Sequence, residues 1–178
     1  MARVHASRPA PPPEPATAED RRELWDRIAD LRVAMLATHD ADGTLSARPV
    51  STVRVDPGGV MWYFVAAGGG IARDLERNPS VHLCVMDIGK DVYAWLRGTA
   101  GLVDDRQKVR ALWSTLAGAW FPGGPDDPDL GLLRVDVQRG DYWDVTSSKL
   151  VQFFTLATAA ITRTAPSKET GRHKRFGR

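Results

Sequence analysis

Three runs decide the fold of this chain: Met35-Leu36-Ala37-Thr38-His39, then Thr44 to Val55, then Val60-Met61-Trp62-Tyr63-Phe64-Val65-Ala66. Asp40-Ala41-Asp42-Gly43 joins the first two, and Gly43 can take a positive φ there at no steric cost, so the chain turns back. The second run alternates Leu45, Ala47, Val53 and Val55 with Thr44, Ser46, Arg48, Thr52 and Arg54. That period of two predicts a strand with Arg48 on its polar face. Asp56-Pro57-Gly58-Gly59 makes the next turn, and the third run is apolar on both sides, as a strand covered on both faces requires. Gly68-Gly69-Gly70 then opens a short helix over Ile71-Ala72-Arg73-Asp74-Leu75-Glu76-Arg77. Asn78-Pro79 ends it, because the residue before proline avoids the α region.

Before this stretch, Ala10-Pro11-Pro12-Pro13-Glu14-Pro15 belongs to a flexible leader over residues 1–16, since each proline fixes φ and removes a donor. Thr17 and Asp20 read as a capping box that starts a helix striped by Leu24, Ile28 and Leu31. After Pro79, residues 81–86 and 92–103 read as two strands, with Gly98 and Gly101 as bulge positions. Asp104-Asp105 caps a helix whose stripe is Val109, Leu112, Trp113 and Leu116. A loop over 119–129 carries Trp120, Phe121, three prolines and three acids, and such loops often carry function. Leu133, Val135 and Val137 alternate with polar residues in a last long strand that continues through Tyr142-Trp143-Asp144-Val145. Leu150, Phe154, Ala157 and Ile161 stripe a final helix. Five or six antiparallel strands with short helical insertions predict a mainly β (α+β) domain, a closed or nearly closed small barrel.

The chain has 178 residues, 43% hydrophobic and 26% charged, enough for one core over residues 17–162. The net charge is +2, yet from Ile161 onward six Lys/Arg face one Glu. The basicity therefore lies in a flexible tail at 163–178 rather than on a nucleic-acid-binding surface. No apolar run approaches the ~20 residues that span a bilayer, and no signal-peptide core is present, so a cytoplasmic location is expected. Cys84 is the only cysteine, which excludes an intrachain disulfide, and its apolar surroundings predict a packed thiol.

Most chemistry is excluded by inspection. The chain has no glycine-lysine phosphate loop, dinucleotide fingerprint or nucleophile elbow. His5, His39, His82 and His173 have no partners at metal-ligand spacing, so no metal site is expected. Gly68-Gly69-Gly70 before a helix is the one phosphate-like feature: free amides and the helix dipole attract anions there, though a tight turn also needs glycine.

The motifs in series resemble the flavin-binding split-barrel family related to pyridoxamine 5'-phosphate oxidase, most closely its general stress protein 26 branch. They are Ala34-Met35-Leu36-Ala37-Thr38 with Asp42-Gly43, Ser46-Ala47-Arg48-Pro49-Val50, Trp62-Tyr63-Phe64, the run from Asp91 to Gly101, Leu112-Trp113, Ala119-Trp120-Phe121-Pro122, Asp126-Asp127-Pro128-Asp129-Leu130 and Tyr142-Trp143-Asp144. The resemblance covers about residues 20 to 163 and implies a homodimer of six-stranded antiparallel split β-barrels with flanking helices. Two FMN (or FAD) sites would lie between the subunits. It lays the flavin ring along Arg48, Pro49 and Val50, where a cation near the pyrimidine carbonyls favours the electron-rich reduced ring. It implies further contacts from Phe64, Val65, Ala66, Gly69, Gly70, Ile71 and Arg73, with Trp120 and Trp143 of the second subunit closing the pocket. The function implied is an oxidoreductase or stress-related redox protein acting on an unknown small molecule, with no catalytic residue assigned.

The chain departs from that pattern where relatives carry Thr, Ser and Lys for the flavin phosphate. It has Val65, Gly69 and Ile71 there. Each lost charge-assisted bond removes roughly 1.5–3 kcal/mol, for which Arg73 or the amides of Gly69 and Gly70 would compensate. The alternative is a binding or regulatory barrel without tight FMN, and a third is a deazaflavin or haem-type ligand in the same groove.

Overall fold

A computed structural model describes residues 14–89, 92–144 and 172–177. The elements in order are β1 (Glu14–Pro15), α1 (Ala18–Ile28), β2 (Val33–His39), β3 (Leu45–Asp56), β4 (Val60–Ala66), α2 (Gly70–Arg77), β5 (Ser80–Asp87), β6 (Val92–Val103), α3 (Arg106–Leu112), β7 (Leu130–Asp144) and β8 (Arg172–Phe176). Strands β7, β4, β3, β2, β5 and β6 pair in that order, and β6 pairs back onto β7. All six pairings are antiparallel, so the ladder closes into a six-stranded barrel. Closure leaves no long edge within the barrel wall.

The barrel interior is filled by Leu36, Met61, Tyr63, Leu83, Leu96, Leu133 and Val135, none more than 1% exposed. Helix α1 covers this core with Leu24, Trp25 and Ile28, and each fully buried aliphatic side chain contributes about 1.5–3 kcal/mol. Its start is the capping box read from the sequence: Asp20 N–H donates to Thr17 Oγ1 at 3.1 Å and Thr17 N–H donates to Asp20 Oδ2 at 2.8 Å. On the other side of β4, Trp62 packs with Val109, Leu130 and Leu132 beneath α3. That second cluster explains why the third run is apolar on both faces.

Several expectations change on folding. Arg48 stands with the inward residues of β3, next to buried Val50, while Leu45 is 53% exposed. The reason is a register shift between Thr52 and Arg54, which lets Val55 point inward although Val53 and Leu45 share its parity. Helix α3 stops at Leu112, leaving Leu116 exposed rather than on the stripe. Of the two bulge glycines, Gly98 sits at the β6–β7 register shift, where an added Cβ would lie 2.1 Å from Asp136 O. Gly101 pairs regularly with Arg134. Cys84 is exposed on the outer face of β5, not packed, because β5 turns Val81, Leu83 and Val85 inward and so turns Cys84 out.

The termini also differ from a leader and a tail. Arg172–Phe176, within the stretch expected to be flexible, pairs antiparallel with β7 beyond the point where β4 ends. Glu14–Pro15 pairs parallel with β8, and proline is tolerated on such an outer strand. Phe176 supplies the apolar anchor, edge-on to Trp25 at 5.8 Å. The final helix expected from Leu150, Phe154, Ala157 and Ile161 lies outside the described residues.

Candidate functional site

The glycine turn after β4 delivers an uncapped helix start. Gly69 is the N-cap of α2 and offers no side chain, and Arg73 N–H to Gly69 O is the first bond of the helix. The amides of Gly70, Ile71 and Ala72 find no acceptor among the described residues. Three free donors at the positive end of the helix dipole make a site for an anion.

Arg48 is brought to this same place. Its Nη2 donates to Thr38 Oγ1 at 2.8 Å and to Asp74 Oδ2 at 2.9 Å. Its Nη1 lies where an ideal Cβ on Gly70 would come within 3.0 Å, so glycine leaves the guanidinium room beside the amides. Asp74, 5% exposed, is the hub: Thr38 donates to Oδ2 at 2.7 Å and Arg77 to Oδ1 at 2.8 Å. The Thr38 hydroxyl and the two guanidinium groups hold the Asp74 carboxyl below the usual carboxylate range, against the opposing effect of burial. The result is a fixed cation whose orientation is set by an anion behind it.

The remaining candidates divide. Gly69 and Gly70 are at the site, and Val50 is buried on the same strand as Arg48. Val65 is a core residue and Ile71 packs against the core, so both positions that lack the expected hydroxyl and ammonium have become apolar packing. Arg73 reaches back to Gly68 O at 2.6 Å and tightens the turn. Ala66 is exposed, and its carbonyl accepts from Gly69 N–H. Phe64 faces away from Arg48, tilted against Trp113 under α3 at 5.9 Å. Pro49, Trp120 and Trp143 face outward, Trp120 being 75% exposed.

Pro49 lies on a broad outer face. In register along it run Pro49, Met35, Cys84 and Trp95, from β3 to β6. The next row is Met86, Tyr93 and Trp143. Met35, Cys84, Met86 and Trp143 are exposed in the single chain. Among the described residues no helix is long and apolar enough to cross a membrane, and no three His, Cys, Asp or Glu side chains gather as metal ligands.

Residues 19–167 match the model of the family described as pyridoxamine 5'-phosphate oxidase like. The chain belongs to this family. Among solved structures, the pyridoxamine 5'-phosphate oxidase-like chain is similar to one described as a general stress protein 26 from Jannaschia sp. CCS1. That match is 30% identical with a TM-score of 0.70 over 90% of this chain and 99% of that one. It is also similar to the general stress FMN/FAD binding protein of Xanthomonas citri, 28% identical, TM-score 0.64, over 74% and 93% of the two chains. The protein bli-3 of Neurospora crassa is 25% identical over 173 residues, 88% of this chain and 83% of that protein.

Sequence reasoning missed Thr38 and Asp74. A partial signal was present: Asp74 and Arg77 are three apart on a helix, close enough to pair. Nothing in the local pattern links either to Arg48, which reaches them only across β2 and α2.

Proposed function

We propose that this protein is a flavin-binding redox protein that works as a homodimer. The flavin phosphate sits on the amides of Gly70, Ile71 and Ala72 beside Arg48, and the ring lies in the groove where Pro49 meets the second protomer. The observation that carries this is the Arg48 guanidinium fixed by Asp74 at an uncapped helix start. It supplies the counter-charge that Ile71 does not. Arg48 thus acts on the phosphate end rather than on the pyrimidine carbonyls. Bound flavin would supply one- or two-electron transfer. The chain's own residues bind it, orient it and exclude water from it. A cation, three amides and an apolar wall suit a flat ring with an anionic tail, in FMN or FAD alike.

The dimer rests on the outer face. Its exposed Met35, Cys84, Met86 and Trp143 form a contiguous apolar sheet surface, and a two-fold contact needs one self-complementary patch. Trp143 then reaches the groove of the opposite protomer, and the likeness to an FMN/FAD binding protein supports the cofactor.

The test is the visible spectrum of the purified protein, followed by titration with FMN and FAD. Fluorescence quenching with a micromolar-range Kd is expected, weakened about 100-fold by Arg48→Ala, the value of one or two charge-assisted bonds. Light scattering should give twice the chain mass. Binding undiminished in Arg48→Ala overturns the phosphate assignment, and no binding at about a hundredfold excess favours a barrel that has given up flavin.

A further inference from the structure

A second cationic place lies on the outer wall, in the row beside the apolar one. In register across β7, β6 and β5 run Arg139, Arg97 and His82. Two arginines directly opposite each other on one face repel, so the pairing is unfavourable as it stands. The fold enforces it nonetheless. The bulge between Arg97 and Gly98 sets Gly98 opposite Val137 and leaves Gln138 as the extra residue. Without that bulge, the register on the Gly98 side would place Gln138, not Arg139, opposite Arg97. The bulge itself depends on Gly98, because a Cβ there would collide with Asp136 O, and bulges commonly re-aim side chains.

Among the described residues no acid answers this pair. The nearest carboxylates in the register are already engaged: Asp141 accepts from Arg175 Nε at 2.7 Å and Asp136 from Arg134 at 2.6 Å. The Nε of Arg139 is buried with no hydrogen-bond partner among the described residues, and its Cβ is packed where Gly177 passes over it. The stem is therefore held, which limits where its guanidinium can reach. Next to Arg97, the His82 ring lies 5.3 Å from the Trp95 ring at 34°. The two tilted rings border the cations with aromatic surface, and burial, Arg97 and His39 all hold His82 towards its neutral form.

We propose that Arg97 and Arg139, with the Trp95–His82 ring pair, bind a small aromatic anion. Its phosphate or carboxylate would bridge the two guanidinium groups and its ring would lie on Trp95. Two arginines and one ring pair match one anionic group on one planar body; a nucleic acid would need a longer cationic track. The site shares no residue with Arg48 or α2, so it stands whether or not flavin binds there. Trp95 ends the apolar row proposed for the dimer contact, and the ring would lie at the rim of that contact, on the side of the arginine row.

The probe is phenyl phosphate, titrated calorimetrically into the full-length protein, with inorganic phosphate, benzoate and benzyl alcohol as comparisons. Wild type is expected to bind phenyl phosphate with a Kd below about 1 mM, and Arg97→Ala and Arg139→Ala to weaken it at least about tenfold each. Trp95→Leu should weaken phenyl phosphate but leave inorganic phosphate unchanged, while Arg22→Ala, on α1, should change neither. Benzoate in place of phenyl phosphate identifies a carboxylate as the better head group and supports the same site. Several results overturn it: no binding of either aromatic anion, equal binding by the arginine variants, or benzyl alcohol binding as well as the anions. So does dissociation of a dimer by Arg97→Ala in a protein that does not bind the probe, which would assign the arginines to an acid of a second copy.

Discussion

Asp74 and Asp141 are both buried and both hold an arginine, at 2.9 Å and 2.7 Å respectively, yet the two pairs serve different ends. Asp74 receives donors from β2, β3 and its own helix, and the arginine it fixes keeps Nη1 beside free helix amides. Asp141 receives Arg175 and ties β8 to the far half of β7. A buried carboxylate is costly unless donors satisfy it. What the arginine's other nitrogens face then decides whether the pair shapes a site or clamps a strand.

The comparison breaks most readily on stability. Asp74→Ala leaves Thr38 with no exposed surface and Arg48 without its counter-charge, and should cost about 3 kcal/mol in urea unfolding. Asp141→Ala frees an arginine that is 42% exposed and can reach water, and should cost about 1 kcal/mol. Equal losses would mean that the two pairs are alike.

A smaller effect sharpens the functional half. Ile71→Lys puts a second cation at the start of α2 and should tighten flavin binding about tenfold, roughly 1.4 kcal/mol, whereas Arg175→Lys should leave it unchanged. Unaltered affinity in Ile71→Lys would show that the phosphate docks elsewhere.

The smallest effect is in acid. Because its folded pKa is depressed, Asp74 contributes stability that is present above the unfolded carboxylate value of about 3.9 and is lost as pH falls through the lower folded value. Unfolding followed from pH 6 to pH 2, about that range, should show a steeper acid loss in wild type than in Asp74→Asn. Parallel curves would remove Asp74 from the acid transition.

Much of the barrel was legible in the residues. The capping box at Thr17, the turns at Gly43 and Gly58-Gly59, the stop at Pro79 and the bulge at Gly98 are local rules obeyed locally. The site was half legible. Gly69 and Gly70 announce a helix start fit for an anion, and Arg48 was singled out, but on a face judged by alternation alone. The bulge after Thr52 changes the parity of β3, and alternation cannot see a bulge. Phe64 could not be separated from the site either, since a strand apolar on both sides does not say which side meets α3.

What the sequence determined by itself is the six barrel strands, the turns between them and the helix starts, because each follows from backbone preferences and side-chain period over a few residues. Tertiary structure decided which side chains meet. Arg48 with Asp74, Arg97 opposite Arg139, and a C-terminal strand on β7 are contacts between segments from 26 to 42 residues apart or joined through an entire strand ladder. Such contacts depend on barrel closure and register, and those are properties of all six strands packed at once.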